Sequence, residues 1–334
     1  MDEKKVISMS DISRMAGVSV ATVSRVINQN GRYSEETEQR VRDIIEKYNY
    51  IPNMAAKGLK TRRSNFVGVI VPDITNEFFA QIVQELQNGL RKQGYMALVC
   101  NTGEDETVER EYMSILGAVN LSGLVFVSGN ARTVESGLQN IPAIYIDRAP
   151  EVGNKDALVI ESDNYDGARL AVKELCDKGC KRIACLNSSK IMSTYSLRYS
   201  GYRDQLALHG IEADESLLIK VDEISFHAAH KAMNELLRDG CSFDGLFCTT
   251  DWLAMGAMTA LEENGLRIPE DVKVVGFDDI SMSSLIAKPL TTIHQQTDIL
   301  GRTAAEEILR LINGEPNRAQ RVQIGVSLIR RQTT

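Results

Sequence analysis

The chain has 334 residues, 43% apolar and 25% charged, enough for two or three domains with buried cores. No run approaches the ~18 uninterrupted apolar residues of a membrane span, and the N-terminal MDEKKVISMS has no apolar leader, so neither a membrane nor an exported protein is expected and the cytoplasm is the predicted compartment. The net charge of −7 is uneven: residues 1–63 hold 12 Lys/Arg against 8 Asp/Glu, and the rest is acidic, which lets a basic head face phosphates while the body avoids non-specific adhesion.

Three short helical patterns open the chain. Ser10 is the expected cap of the first, whose inner residues are Ile12, Met15 and Ala16. Gly17 and Val18 make a tight turn, and Ser19 caps a second helix, VATVSRVIN, with Val23, Val26 and Ile27 inward. After a loop at Asn30–Gly31, Ser34 with Glu35 and Glu36 opens a third, whose inner face is Val41, Ile44, Ile45 and Tyr48. Two helices joined by a Gly turn within a three-helix unit define a helix-turn-helix, although any helical hairpin looks similar. The outward residues of the second helix, Val20, Ala21, Thr22, Ser24, Arg25 and Asn28, are small or hydrogen-bonding. Such a face can enter a major groove, with Arg25 forking onto a guanine and Val20 or Ala21 touching a thymine methyl. The alternative is an ordinary solvated face.

DISRMAGVSVATVSRVIN followed by YIPNMAAKGL resembles the headpiece and hinge of the LacI/GalR family of bacterial regulators. The resemblance implies that Val20, Ala21 and Arg25 read bases, and that Ser10, Ser19, Thr22, Ser24, Asn28 and Arg32 approach phosphates of a double-stranded operator. It further implies a hinge helix over Asn53–Leu59, Ala56 included, that forms on DNA. Leu59 and its dimer mate would wedge into the minor groove. Gly58 departs from a good helix former, at a cost of ~1 kcal/mol relative to Ala. Lys57, Lys60, Arg62 and Arg63 add phosphate attraction there.

From Phe66 onward strands alternate with helices. FVGVIVP reads as a buried parallel strand, and FAQIVQELQNGLRKQG as an amphipathic helix with Ile82, Leu86 and Leu90 on one face, stopped at Gly94. Strands MALVC, GLVFVS, AIYID, RIACLN, GLFCTT and VKVVGFD follow. Helices are expected through Tyr112 and Leu116, over 165–178, from about Tyr199 and from near Trp252. The alternation means doubly wound layers, here two lobes. In such sheets ligands bind beyond the carboxyl ends of strands, so the informative polar residues are Pro72 to Phe79, Asp147–Arg148, Asp163–Asn164, Asp251 and Asp278–Asp279. Carboxylates, amides and Arg suit a polyhydroxylated ligand. Phe78 and Phe79 either stack on a sugar ring or fill the helix core.

This body is similar to the periplasmic-binding-protein-like core of the same family, with anchors DGARLAVKEL, SLRYSGYRDQL, TDWLAMGAMTAL, VVGFDD and LTTIHQ. Its pocket resembles that of ribose-binding proteins. On that resemblance Pro72, Asn76, Phe78, Phe79, Asp147, Arg148, Asp163, Arg198, Ile224, Thr250, Asp278 and Gln295 line the ligand. Thr250 stands where an Asn is usual, and Ile224 where an aromatic is usual. The expected fold is an N-terminal all-α helix-turn-helix headpiece plus an α/β periplasmic-binding-protein-like core of two doubly wound lobes. Residues 1–51 form the headpiece, 52–64 the hinge and 65–334 the core. Lobe one takes about 65–162 and 293–323, and lobe two about 163–290.

Enzyme motifs are missing: there is no G-x-x-x-x-G-K-[ST] loop, no G-x-S-x-G elbow and no H-E-x-x-H pair. His209, His227, His230 and His294 are scattered, so no metal is expected. Cys100, Cys176, Cys180, Cys185, Cys241 and Cys248 form no CxxC pair and read as reduced and buried. Trp252 suits a subunit interface or a cleft as well as a core. The expected function is a cofactor-free, sugar-responsive repressor that acts as a homodimer. The alternative is a corepressor-dependent regulator answering to a purine or a phosphorylated metabolite. A plain solute-binding protein fits the core but not the headpiece. A tetramer is not expected, because SLIRRQTT contains no leucine heptads.

Overall fold

The structure, a computed structural model, describes residues 7–27, 29–50, 64–127, 138, 140–148, 157–190 and 192–334. The expected hinge, with Asn53, Ala56 and Leu59, lies outside the described residues, as does Asn28. The chain divides into two compact units, Met1–Ser64 and Asn65–Thr334.

The first unit packs α1 (Met9–Ala16), α2 (Val20–Ile27) and α3 (Glu35–Lys47) around Ile12, Ala16, Val23, Val26 and Val41. The cap of α1 is Ser8, not Ser10. Ser8 Oγ accepts from the Asp11 N–H, and the Asp11 carboxylate accepts from the Ser8 N–H, a reciprocal pair that satisfies two helix-end donors. Ser10 therefore lies exposed inside the first turn. Gly17 ends α1 with φ 67°, the left-handed region where a Cβ is costly. Ser19 does cap α2, accepting from the Thr22 N–H at 3.1 Å, and Ser34 caps α3. Met15 and Tyr48, expected inward, are exposed. In helices this short the buried stripe is one or two residues wide, and Ile12 and Ala16, four apart, already fill it for α1.

The second unit contains two six-stranded sheets. The first is built from β1 (Phe66–Val71), β2 (Met96–Asn101), β3 (Gly123–Val127), β4 (Ala143–Ile146) and β5 (Leu158–Ser162), with α4 (Glu77–Lys92) and α5 (Glu106–Ala118). The chain then enters lobe two through α6 (Asn164–Asp177), β6 (Ile183–Ser188), α7 (Ser193–Leu208), β7 (Leu218–Val221), α8 (Phe226–Arg238), β8 (Gly245–Cys248), α9 (Asp251–Glu263), β9 (Lys273–Asp278), α10 (Ser281–Leu285) and β10 (Thr291–Gln295). It returns to lobe one as α11 (Thr297–Ile312) and β11 (Arg321–Ile324), and ends in lobe two as β12 (Val326–Ile329). The strand orders are β11-β5-β4-β3-β1-β2 and β12-β10-β9-β8-β6-β7. Every pairing is parallel except β10 with β12.

Two boundaries differ from expectation. Ile293–Gln295 belong to lobe two, because β10 pairs with β9 in register, Thr292 opposite Gly276. The crossing back to lobe one follows Gln295, and a third crossing falls at Gly325. Helix α7 begins at Ser193 rather than near Tyr199. Among the described residues its start carries no side-chain cap, which left no cue at Met192.

Candidate nucleic-acid face and ligand cleft

On α2 the expected reading residues form one exposed strip. Val20, Ala21 and Arg25 are exposed, Thr22 and Ser24 half-buried, and Val23 and Val26 anchor the opposite face. The arrangement follows from the 3.6-residue period: 20, 21, 24 and 25 point away from the pair 23 and 26. Gly31, with φ 85°, lies beneath Arg25. A Cβ there would come within 3.1 Å of Arg25 Cδ, so the glycine lets the guanidinium stem lie flat on the loop. Ser10, Ser19 and Arg32 are exposed on the same small unit.

In the second unit, most predicted ligand residues stand at or just beyond the carboxyl ends of β1, β4, β5, β7, β8, β9 and β10, as parallel strands require, and Arg198 lies on α7. Asp147, Arg148, Arg198, Asp278 and Gln295 come together, each at most 7% exposed. Asp147 stands at φ 69° and Asp278 at φ 119°, backbone conformations that turn the chain sharply off β4 and β9. Arg198 donates from Nε to Asn164 Oδ1 at 2.8 Å and from Nη1 to the Thr249 carbonyl at 2.5 Å, and Nη1 lies 3.6 Å from Asp278 Oδ1. Its guanidinium rests 3.7 Å from the Phe277 ring centroid. Gln295 Nε2 donates to Asp278 Oδ1 at 2.7 Å, while its buried Oε1 has no hydrogen-bond partner among the described residues. Burial pushes the Asp278 carboxyl above the usual range; Arg198 works against the rise, and Asp147 adds to it.

Other predicted residues serve the frame. Asn76 caps α4, accepting from the Phe78 N–H at 3.1 Å. Phe78 and Phe79 are buried in the lobe-one core and meet edge-on, centroids 5.2 Å apart. Asp163 caps α6 through the Asp166 N–H, and Thr250 caps α9 through the Leu253 N–H. Pro72 is buried at the end of β1, and Ile224 packs against the lobe-two core. Asp251 is enclosed: it accepts from Thr292 Oγ1 at 2.5 Å and the Ile280 N–H at 3.0 Å, and burial drives its carboxyl well above the ordinary value. Asp279 accepts from Arg331 at 2.6 Å and pairs with His294 at 2.9 Å. Trp252 is half-buried and lines a groove with Phe226, Met255, Met258, Met282 and Ile286.

Asn164, named from sequence only as the strand-end neighbour of Asp163, and three residues not singled out complete this site. Asn164, fully buried, orients Arg198. Tyr195 stands 5.7 Å from the Arg148 guanidinium. Glu104 and Lys190 pair across the lobes. Asn164 had a signal, since it sits beside the strand-end Asp163. The other three are ordinary loop and helix residues whose meeting depends on how the lobes face each other.

A recognition helix on one unit, and a two-lobed α/β unit with polar strand-end residues converging between its sheets, define a ligand-controlled DNA-binding regulator. Residues 8–53 match the family described as bacterial regulatory proteins, lacI family, and residues 64–332 match periplasmic binding proteins and sugar binding domain of LacI family. The chain belongs to the LacI family and is a DNA-binding transcriptional regulator. The chain is 32% identical to the ribose operon repressor of Halalkalibacterium halodurans over 98% of its own length and 97% of the relative's. It is 30% identical to the transcriptional repressor PurR of Vibrio atlanticus, over 98% of both. The solved lac repressor dimer bound to operator and the anti-inducer ONPF superimposes with a TM-score of 0.86 at 29% identity, over 98% of this chain and 99% of that one. No helix among the described residues is long and apolar enough to cross a membrane.

Proposed function

We propose that the protein is a cytoplasmic, homodimeric repressor without enzymatic activity, released from its operator when a ribose-like sugar occupies the cleft between its lobes. The observation that carries the sugar reading is the convergence of Asp147, Arg148, Asp278 and Gln295, at strand ends of both lobes, with Arg198 of α7, all nearly buried. Their carboxylates, amide and guanidinia offer the paired donors and acceptors that vicinal hydroxyls need. The unpartnered Gln295 Oε1 is an acceptor that a sugar hydroxyl would satisfy. The relative named ribose operon repressor supports the pentose, and the relative named PurR supports a purine corepressor as the second reading.

On the DNA side, Val20, Ala21 and Arg25 read bases in the major groove, and Ser10, Ser19, Thr22, Ser24, Asn28 and Arg32 engage phosphates. Asn53, Ala56 and Leu59 contribute the minor-groove contact. Effector and operator oppose each other because the effector binds the low-affinity state better, a shift of populations.

Thermal unfolding of the full chain with D-ribose, other pentoses, hexoses, their phosphates and purines tests the ligand class, since a selective ligand raises apparent stability. D-ribose is expected to raise the melting temperature in a concentration-dependent way. A rise with hypoxanthine and none with any sugar would replace the sugar reading with the purine one.

A further inference from the structure

Glu104 follows β2 in lobe one, and Lys190 follows β6 in lobe two. Their side chains form a direct ion pair. Glu104 also accepts from both Nη1 and Nη2 of Arg148 at 3.4 Å, so one carboxylate serves a cleft residue of its own lobe and a cation of the other. The loop holds it there at some cost. Gly103 and Glu104 stand at φ 64° and φ 59°, consecutive left-handed residues, and a non-glycine side chain in that region is disfavoured by ~1 kcal/mol or more. Thr102 and Asp105 brace the loop from either end, Thr102 N–H donating to the Val71 carbonyl at 2.9 Å and Asp105 N–H to the Thr102 carbonyl at 3.2 Å. The facing loop is braced too: the Lys190 N–H donates to Ser188 Oγ at 3.1 Å, and Ser189 Oγ donates to Asp222 at 2.5 Å. Burial works against the charge on Glu104, yet Lys190 and Arg148 together hold its carboxyl below the usual range.

Two fixed loops on opposite lobes, carrying opposite charges in contact, cannot part without breaking that contact. We propose that Glu104 and Lys190 form a clasp that joins the lobes over the bound effector and sets its residence time, while Glu104 holds Arg148 in its cleft position. The proposal rests on the cleft being the effector site. Because the contact exists only with the lobes together, it stabilises the closed state with and without an occupant. Its loss opens the sugar-free cleft and raises the dissociation rate. A half-exposed ion pair is a modest interaction, so the expected change is about two- to fivefold, shrinking in high salt.

The test uses the full chain with spin labels on Ser114→Cys of lobe one and Lys220→Cys of lobe two, both exposed positions, in a background carrying Cys176→Ser and Cys241→Ser. Distances between the lobes are measured with and without D-ribose in the parent, Lys190→Met, Lys190→Arg and Glu104→Gln. The clasp predicts longer separations in sugar-free Lys190→Met and Glu104→Gln, parent-like separations in Lys190→Arg, and two- to fivefold faster release of D-ribose from Lys190→Met. Superimposable sugar-free distributions for parent, Lys190→Met and Glu104→Gln would overturn it. A parent that ignores D-ribose would fault the ribose reading, and the sugar-free comparison would still decide the clasp.

Discussion

Asp278 bears conflicting demands. It is buried beside Arg198 and Gln295, and burial favours its protonated form. A carboxyl whose pKa is higher in the folded chain than in the unfolded one binds protons preferentially when folded. Its stabilising contribution is therefore full at low pH and is lost as pH rises through the raised folded value. Asp278→Asn removes the charge and keeps an acceptor for Gln295 Nε2. The variant is expected to be more stable than the parent by on the order of 1 kcal/mol at pH 8, with the gap narrowing towards pH 6. Its D-ribose affinity is expected to fall 10- to 150-fold, the typical range for a charged hydrogen bond to a ligand. Calorimetry of both proteins across that pH range, with D-ribose titrations, checks the trade. At the other site, Arg25→Ala is expected to lower operator affinity by ~1–3 kcal/mol and relax one base preference. Unchanged discrimination among operator variants would reduce Arg25 to a backbone contact.

Helices in both lobes approach each other through glycine. A Cβ on Gly201 of α7 would come 2.3 Å from the Tyr165 carbonyl oxygen of α6, and one on Gly256 of α9 would come 2.2 Å from the Phe226 carbonyl oxygen of α8. In lobe one, a Cβ on Gly301 of α11 would come 2.5 Å from the Ile82 carbonyl oxygen of α4. Ala for Gly inside a helix ordinarily gains up to ~1 kcal/mol. Here the clash is with backbone, which cannot swing aside, and overpacking of this kind costs ~1–3 kcal/mol. Gly256→Ala is thus expected to lower the melting temperature; an unchanged or raised value would show that α8 and α9 slide apart freely. These elements were only partly legible in the sequence. The buried strands FVGVIVP and VKVVGFD stand out as apolar runs; Asp278, at the end of the second, gathers with Arg198 and Gln295, whereas Asn76, after the first, caps α4. Caps were harder to place: Ser10 was the expected cap of α1, but the reciprocal bond with Asp11 puts it at Ser8. TTIHQ reads as a strand start in either lobe, because the choice depends on pairing with β9, a contact distant in sequence from any local cue. Glu104, Lys190 and Tyr195 carried no mark, since a cross-lobe contact leaves no periodicity.

For the whole molecule, regulation means that one site's occupant changes the other site's affinity. The couplings of such proteins are typically 1–3 kcal/mol, about 5- to 150-fold, and they are reciprocal. The cleft residues come from both lobes, and the chain crosses between the lobes three times, after Ser162, after Gln295 and at Gly325, so an occupant that draws the strand ends together acts on the whole second unit. The most direct test is fluorescence anisotropy of the full chain on a duplex selected by the protein from a randomised library, at fixed salt, with D-ribose titrated in. D-ribose is expected to weaken binding to that duplex at least fivefold, and Asp278→Asn to need about 10 to 150 times more sugar for the same effect. Duplex affinity that stays constant while D-ribose demonstrably occupies the cleft would contradict it.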